Sequence, residues 1–279
     1  MLFWLIILAT TGANSIPSNT IQDEVCKENI IPTIWSKAKL VDRKDWNVNP
    51  NTKSSNIDRS FPIIQSNNTL TYDAINTYLD LNDLAQDLGL WKMKTYMSKS
   101  NLLIKHYNTK VKTSTLLKLL QKSNAAKAYY NAIPRTNAYY ASKLAPHIFK
   151  LTEDIFKSHP KIPPLLRCTL RSGVKWSAHY DGHQNHVLQI LGVKVWLLFP
   201  PGVVLPELLF PSGHASERHS IIDFAQPSDK HRFEVEKIIQ NYGIVAVLRP
   251  GDILYVPKLW IHFTLSLTKE TISVNWFSK

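Results

Sequence analysis

The sequence predicts a mainly β fold, a closed barrel or jelly roll, with helices confined to the part of the chain before residue 160. From residue 161 onward, apolar and polar residues alternate with a period of two, as they do along strands with one buried face. Proline and glycine separate several of these runs, which is typical of many short strands in one block. The predicted strands cover residues 165–170, 187–191, 193–199, 244–248, 253–256, 261–267 and 271–277.

The alternation places a set of polar side chains on one face of the last two predicted strands. Such a face could be exposed to solvent, or it could line the interior of a barrel. The interior is favoured because a histidine, His262, shares the polar face of its strand with Thr264 and Ser266. The next strand presents Ser273 and Asn275 in the same way.

Residues 69–160 are predicted to form a helical, basic region that packs on the barrel. Apolar residues recur at helical spacing from residue 70 to Leu88, and Gly89 suits the C-terminal end of that helix. A leucine stripe predicts a second helix over residues 114–122, and a third is expected over residues 146–156.

The remaining boundaries follow from composition. Residues 1–15 have the short apolar run and small-residue end of a secretory signal peptide, so the mature chain is expected in the secretory pathway, in the endoplasmic reticulum lumen or outside the cell. No transmembrane segment is expected. Residues 16–68 are predicted to be irregular, with one glycosylation sequon at Asn67, and residues 161–279 to form the barrel.

Two cysteines, Cys26 and Cys168, allow at most one disulfide, and either could equally be free.

The positive charge of the chain is concentrated in one segment. The whole chain has 33 basic and 21 acidic residues, a net charge of +12. Residues 88–152 contain no Asp or Glu but 12 Lys and Arg residues, so the entire excess lies there. The segment is either a solvated helical face or an attractive surface for an acidic partner.

The side chains that indicate chemistry are His179, Asp181 and His262. An H-x-D pair on a strand places both side chains on one face, and a distant histidine can complete a triangle of ligands. Two imidazoles and one carboxylate, with the opposite side open, form the site typical of non-haem Fe(II) oxygenases.

The sequence around these residues resembles the JmjC-type cupins, which include the asparaginyl hydroxylase of hypoxia-inducible factor and the tRNA wybutosine-pathway hydroxylase. The resemblance covers about residues 130–279. The first stretch is His179-Tyr180-Asp181, followed by Asn185 and by Gln189-Ile190-Leu191-Gly192-Val193-Lys194. The second is Pro250-Gly251-Asp252-Ile253-Leu254-Tyr255-Val256-Pro257, followed by Trp260-Ile261-His262.

The resemblance implies a double-stranded β-helix and a set of site residues. His179, Asp181 and His262 match the iron ligands, and Lys194 matches the cation that pairs with the distal carboxylate of the cosubstrate 2-oxoglutarate. Three further positions are matched to cosubstrate contacts: Asn185, Asn275 and, more loosely, Tyr139 or Tyr140.

One position departs from the family. Three residues before the first ligand, relatives often have a small hydroxyl residue, whereas this chain has Trp176 followed by Ser177. Either the register shifts by one residue or the cosubstrate pocket is altered.

Several other polar residues are not expected to act in the site. His183 and His186 cannot aim at the same ion as His179 from a single strand. Asp252 is expected to cap its turn. Three histidines are expected to be solvated in the loop after the predicted strand at residues 193–199: His214, His219 and His231.

The resemblance implies an Fe(II)- and 2-oxoglutarate-dependent dioxygenase that uses O2 to hydroxylate a side chain of a protein or other macromolecule. Demethylation would follow if the hydroxylated carbon were bound to nitrogen. The substrate is expected to be a protein, and the basic segment favours an acidic one. Nucleic acid is not expected if the chain is secreted. The alternatives are a non-catalytic lumenal binding or scaffold protein, and a metal cupin of another class such as an isomerase. Lys194 argues against the isomerase, because an isomerase needs no anchor for a dicarboxylate.

Overall fold

The computed structural model describes residues 31–45, 60–66, 71–121, 128–132, 165–204 and 206–278. Five sequence predictions lie outside these residues: the signal peptide of residues 1–15, the sequon at Asn67, Cys26, the third helix and Tyr139. No helix among the described residues is long and apolar enough to cross a membrane.

The first of two sheets has six strands and carries the two histidines of the triad His179, Asp181 and His262. Its strand order is β1-β12-β11-β14-β9-β5. The strands are β1 (Lys39–Leu40), β12 (Ile244–Leu248), β11 (Lys194–Phe199), β14 (Ile261–Ser266), β9 (Lys175–Tyr180) and β5 (Leu102–Leu103).

The second sheet has nine strands in the order β2-β3-β13-β10-β15-β8-β7-β4-β6. Five of them were not predicted from the sequence: β2 (Arg43–Asp45), β3 (Ile63–Ser66), β7 (Ala128–Ala132), β4 (Lys92–Met97) and β6 (Lys110–Thr115). The other four are β13 (Ile253–Val256), β10 (Gln184–Leu191), β15 (Thr271–Ser278) and β8 (Leu165–Thr169). The mainly β jelly roll is therefore confirmed, and each predicted strand is present within a few residues of its expected bounds.

The described part of the chain has four α-helices: α1 (Tyr72–Thr77), α2 (Leu81–Leu88), α3 (Leu116–Gln121) and α4 (Asp229–Tyr242). Short 3-10 turns lie at Thr33–Trp35 and Pro206–Leu208. The first predicted helix is divided in two, because Asp80 takes an extended backbone and its carboxylate accepts hydrogen bonds from the backbone N–H groups of Asn82 and Asp83. Gly89, with φ of 51°, ends α2 as expected.

The predicted boundaries need two corrections. Residues 69–160 were expected to be helical but include β4, β5, β6 and β7. Residues 16–68 were expected to be irregular but include β1, β2 and β3. Of these, β1 pairs in parallel with β12, while β3 pairs with β13. The barrel is therefore built from both halves of the chain.

Apolar side chains cover both outer faces of the sheets. On β15, Ile272, Val274 and Trp276 pack in one cluster with leucines of α2 and α3. On β14, Ile261, Phe263 and Leu265 pack in another with residues of α4. A third cluster joins residues of both sheets, including Val187 and Trp196.

The polar residues between these apolar ones are buried as well, so they face the interior. Thr264 is 7% exposed, and Ser273 and Asn275 are at most 1% exposed. The interpretation that the polar faces are turned to solvent is therefore wrong, and a polar region lies inside the jelly roll.

Candidate metal centre

The two histidines of the triad lie side by side on neighbouring strands. β9 pairs with β14 in antiparallel register, and His262 is opposite His179. Their ring centroids are 4.2 Å apart. Asp181 follows two residues after His179, as the H-x-D spacing requires, and the backbone N–H of Leu259 donates to its carbonyl over 2.8 Å. This contact ties the end of β9 to the turn that leads into β14.

The three side chains present their ligand atoms to one point. All three ligand atoms lie within 4.8 Å of one another, and no other group of this kind occurs among the described residues. An oxygen of Asp181 lies 4.0 Å from Nε2 of His179 and 3.7 Å from Nε2 of His262. Two imidazole nitrogens and one carboxylate suit a divalent transition metal such as Fe(II).

Backbone carbonyls fix the orientation of both imidazoles. Nδ1 of His179 lies 2.9 Å from the carbonyl of Ser177, and Nδ1 of His262 lies 3.0 Å from the carbonyl of Trp260. A carbonyl can only accept, so each Nδ1 carries the proton and each Nε2 keeps a lone pair for a metal.

Burial keeps both imidazoles neutral. It lowers the pKa of His179 well below its usual value, and the neighbouring His262 lowers it further. Burial also lowers the pKa of His262, against the opposing attraction of Asp181. Neutral imidazole is the form that binds metal, so the site is ready to bind at neutral pH.

A cavity next to the triad is lined by residues of both sheets. The six-stranded sheet contributes Trp176, Lys194, Trp196 and Thr264 in addition to the triad. The nine-stranded sheet contributes Arg167, Asn185 and Asn275. The structure therefore brings every described residue of the sequence-predicted site into one cavity.

Lys194 is a buried cation in this cavity. It is 2% exposed, and its Nζ donates to Oγ of Ser273 on the opposite sheet over 3.4 Å. Burial lowers the pKa of Lys194 to about 7, and repulsion by Arg167 contributes to the shift. The position of Lys194 depends on Gly192, because a Cβ there would lie 2.1 Å from the carbonyl oxygen of Glu270.

Two buried polar atoms of the cavity indicate that it holds a polar ligand. Asn275 donates from Nδ2 to Oδ1 of Asn185 over 3.2 Å. Its own Oδ1 has no hydrogen-bond partner among the described residues, and neither does Nε1 of Trp196. Native proteins rarely leave buried polar atoms unsatisfied, so a polar ligand fits this space.

A β-bulge explains the position of Trp176. Thr264 pairs with Trp176 and His262 pairs with His179, so Ser177 and Ala178 together face the single residue between them on β14. The bulge turns Trp176 into the cavity, although it lies three residues before His179. Ser177 does not line this cavity. Its Oγ lies 2.8 Å from Nδ1 of His219 instead.

His219 and Arg167 are site residues that the sequence reasoning missed. His219 was expected to be solvated, but it is 8% exposed and stacks on His179 with ring centroids 4.7 Å apart. A loop that follows the barrel edge brings it there, and its sequence carries no signal of that contact. Arg167 had a signal, since it is a charged residue within an apolar strand.

The other discounted residues do not join the triad. His183 is exposed, and His186 packs its ring against Tyr255. His214 is exposed as expected, while His231 is half-buried. Asp252 caps its turn as predicted by accepting from the backbone N–H of Arg249 over 2.8 Å, and it also pairs with Arg43.

Comparisons with known proteins agree with this geometry. The family model described as a cupin-like domain matches residues 42–279. The chain is 32% identical over 130 residues to tRNA wybutosine-synthesizing protein 4 of Gibberella zeae, which is 46% of this chain and 12% of that protein. It is 33% identical over 107 residues to HSPB1-associated protein 1 of Homo sapiens, or 37% of this chain and 21% of that protein. JmjC domain-containing protein F of Dictyostelium discoideum is 27% identical over 114 residues, with 36% of this chain and 24% of that protein covered. The match thus spans less than a quarter of the length of each of these relatives.

Proposed function

The chain belongs to the cupin-like domain family, and from this premise we propose that it is an Fe(II)- and 2-oxoglutarate-dependent oxygenase that hydroxylates a protein side chain. The observation that carries the proposal is the juxtaposition of a three-donor metal site and a buried lysine in one cavity. A metal alone would need the triad only, whereas a lysine buried beside it suits a ligand with a distant carboxylate.

His179, Asp181 and His262 would hold the iron, which supplies the activation of O2 when it is bound. The donor set fits, because both Nε2 lone pairs and one carboxylate oxygen converge while each Nδ1 is bonded to a carbonyl. These three protein ligands would leave coordination positions open for the cosubstrate and O2.

The cavity beyond the metal would hold 2-oxoglutarate. Lys194 pairs with its distal carboxylate, and that negative charge restores the charged form of an ammonium group that burial disfavours. Arg167 adds a second positive charge to the same cavity. Nε1 of Trp196, which has no hydrogen-bond partner among the described residues, and the second N–H of the Asn275 amide can donate to the oxygens of the cosubstrate.

Thr264 supplies the hydroxyl group that relatives often have at the position of Trp176. It pairs with Trp176 across the two strands, lines the same cavity and is 7% exposed. Trp176 lines the cavity beside the three candidate metal ligands. The proposed 2-oxoglutarate pocket would therefore still contain a hydroxyl donor, on β14 instead of β9.

Succinate release from 2-oxoglutarate tests the proposal. Purified protein with Fe(II) should release succinate slowly even without its prime substrate, and His179→Ala should abolish the release because a ligand is lost. Equal release from the variant and the parent would show that the turnover is not at this site. A protein that binds metal and 2-oxoglutarate but releases no succinate would support the alternative of a non-catalytic binding protein.

A further inference from the structure

A second cavity, of about 300 Å3, lies beside the triad and is not explained by the cosubstrate. It is lined by Lys105 and His106, which belong to the turn at residues 104–107, and by the loop at residues 213–219, and it shares no lining residue with the first cavity. His219 lines it and also stacks on His179, so the cavity reaches the edge of the metal centre. Its volume is at the lower end of the range for ligand sites in proteins.

The walls of this cavity are fixed by several contacts. Oγ of Ser216 donates to the carbonyl of Lys105 over 2.6 Å, which joins the loop to the turn. The rings of Tyr107 and Phe210 pack with centroids 5.1 Å apart, and this contact joins them a second time. His219 also forms a β-bridge with His179, so the loop is fastened to β9. The cavity is therefore preformed.

Positive charge dominates the lining. Lys105 and Arg218 are its two cations, and among the lining residues Glu217 supplies one carboxylate. That carboxylate already accepts a hydrogen bond from the backbone N–H of Gly213 over 3.0 Å. Burial and then repulsion by Arg218 and Arg167 lower the pKa of Lys105, against the attraction of Asp181. Iron bound at the triad would weaken the attraction of Asp181 for Lys105. The excess of positive charge in the cavity lining would then favour an anionic ligand.

We propose that this cavity binds a carboxylate side chain of a polypeptide substrate and so positions the neighbouring residue for oxidation at the metal. The proposal rests on the proposed oxygenase function and adds the substrate class to it. Two cations at the cavity, with His219 leading to the metal, match one carboxylate held near the reacting carbon. RNA fits less well, because its binding depends on several phosphate contacts spread along a surface rather than on one small cavity.

The test compares binding of a labelled octaglutamate peptide by the full-length chain and by single variants. Arg218→Gln and Lys105→Met each remove one lining cation. Each should weaken binding by about 10-fold or more, as the loss of one charge-assisted hydrogen bond does. Lys112→Met is the matched control, because it removes the same charge from an exposed position on β6 that does not line the cavity. An octaglutamine peptide should not bind.

The outcomes separate this proposal from the proposed function. No binding of octaglutamate to the parent, or an equal loss in Lys112→Met, overturns the cavity proposal and leaves only diffuse attraction to a basic chain. An RNA oligonucleotide that binds more tightly and depends on Lys105 and Arg218 overturns it in favour of a phosphate site. Mn(II) binding and succinate release, measured on the same samples, report on the triad and the first cavity and not on the second cavity. Their absence together with cavity-dependent peptide binding would reject the oxygenase and keep the carboxylate site.

Discussion

The two sheets contribute different chemistry to the cavity that they share. The six-stranded sheet supplies the three metal ligands around β9 and β14 and the buried cation Lys194 on β11. The nine-stranded sheet supplies the amides of Asn185 and Asn275, together with Arg167. One side thus holds the three candidate metal ligands, and the other side mostly holds amide and guanidinium groups.

Under the proposed function, this division would keep metal binding and cosubstrate binding separate. His179 is oriented by the carbonyl of Ser177 on β9, and His262 by the carbonyl of Trp260 just before β14, so both contacts lie on the side of the six-stranded sheet. Lys194 crosses the interior and contacts Ser273, so it links the two sides. Substitutions on the nine-stranded sheet should therefore change cosubstrate affinity while metal affinity stays the same.

The largest effect is expected from His262→Ala on the six-stranded sheet. It removes one of three converging donors, and metal affinity should fall by more than about 100-fold, since even the loss of a supporting outer contact costs 10- to 100-fold. Anaerobic calorimetry with Mn(II) measures the loss. His183→Ala is the matched control, because His183 is an exposed histidine that does not line the cavity. Equal affinities in both variants would remove the triad from the metal site.

Lys194→Met should have the next largest effect, and on the cosubstrate only. Losing one buried charge-assisted contact should cost about 2–4 kcal/mol, or about 30- to 1000-fold in affinity for 2-oxoglutarate. Titration of 2-oxoglutarate into the Mn(II)-loaded protein measures this loss, with Lys258→Met as an exposed control. If Mn(II) affinity fell in parallel, the division between ion and cosubstrate contacts would be broken.

Asn275→Ala tests the nine-stranded sheet and should be milder. One neutral hydrogen bond contributes about 0.5–1.5 kcal/mol, so 2-oxoglutarate affinity should fall by about 3- to 10-fold with Mn(II) affinity unchanged. Asn185→Ala and the double variant complete a cycle. Since Asn275 donates to Asn185, the two losses should not add. Strictly additive losses would mean that the two amides act independently.

The strands and the triad could be predicted from the sequence because both depend on local spacing. Alternation along β14 and β15 separates apolar from polar residues, and the structure buries the two sets on opposite faces. The H-x-D spacing placed His179 and Asp181 together for the same reason. The family resemblance then added Lys194 and the two asparagines, which no spacing argument identifies.

The features that were missed depend on contacts distant in sequence. The bulge at Ser177 and Ala178 appears only in the pairing of β9 with β14, and it decides that Trp176 faces the cavity. β1 has two residues and β2 has the charged sequence Arg-Lys-Asp, so neither has a recognisable apolar period. His219 reaches the site through a β-bridge from a loop. Such placements are set by tertiary packing.

The smallest expected effect is on the pH dependence of stability. Lys194 has a pKa of about 7 in the folded chain and its ordinary value of 10.5 when unfolded. Between these values the unfolded chain binds the extra proton, so the free energy of unfolding rises with pH across this window, and below it the charged lysine is buried at full cost. The gain should be below about 1 kcal/mol between about pH 6.5 and 7.5, measured by urea denaturation of the metal-free protein. Lys194→Met should reduce this slope by the contribution of Lys194 and leave that of the buried His179 and His262, whose pKa values are also lowered. Added 2-oxoglutarate with Mn(II) should also flatten it, because the bound carboxylate raises the pKa of Lys194. A slope unchanged in Lys194→Met would assign the pH dependence to other groups and would separate Lys194 from the charge balance between the two sheets.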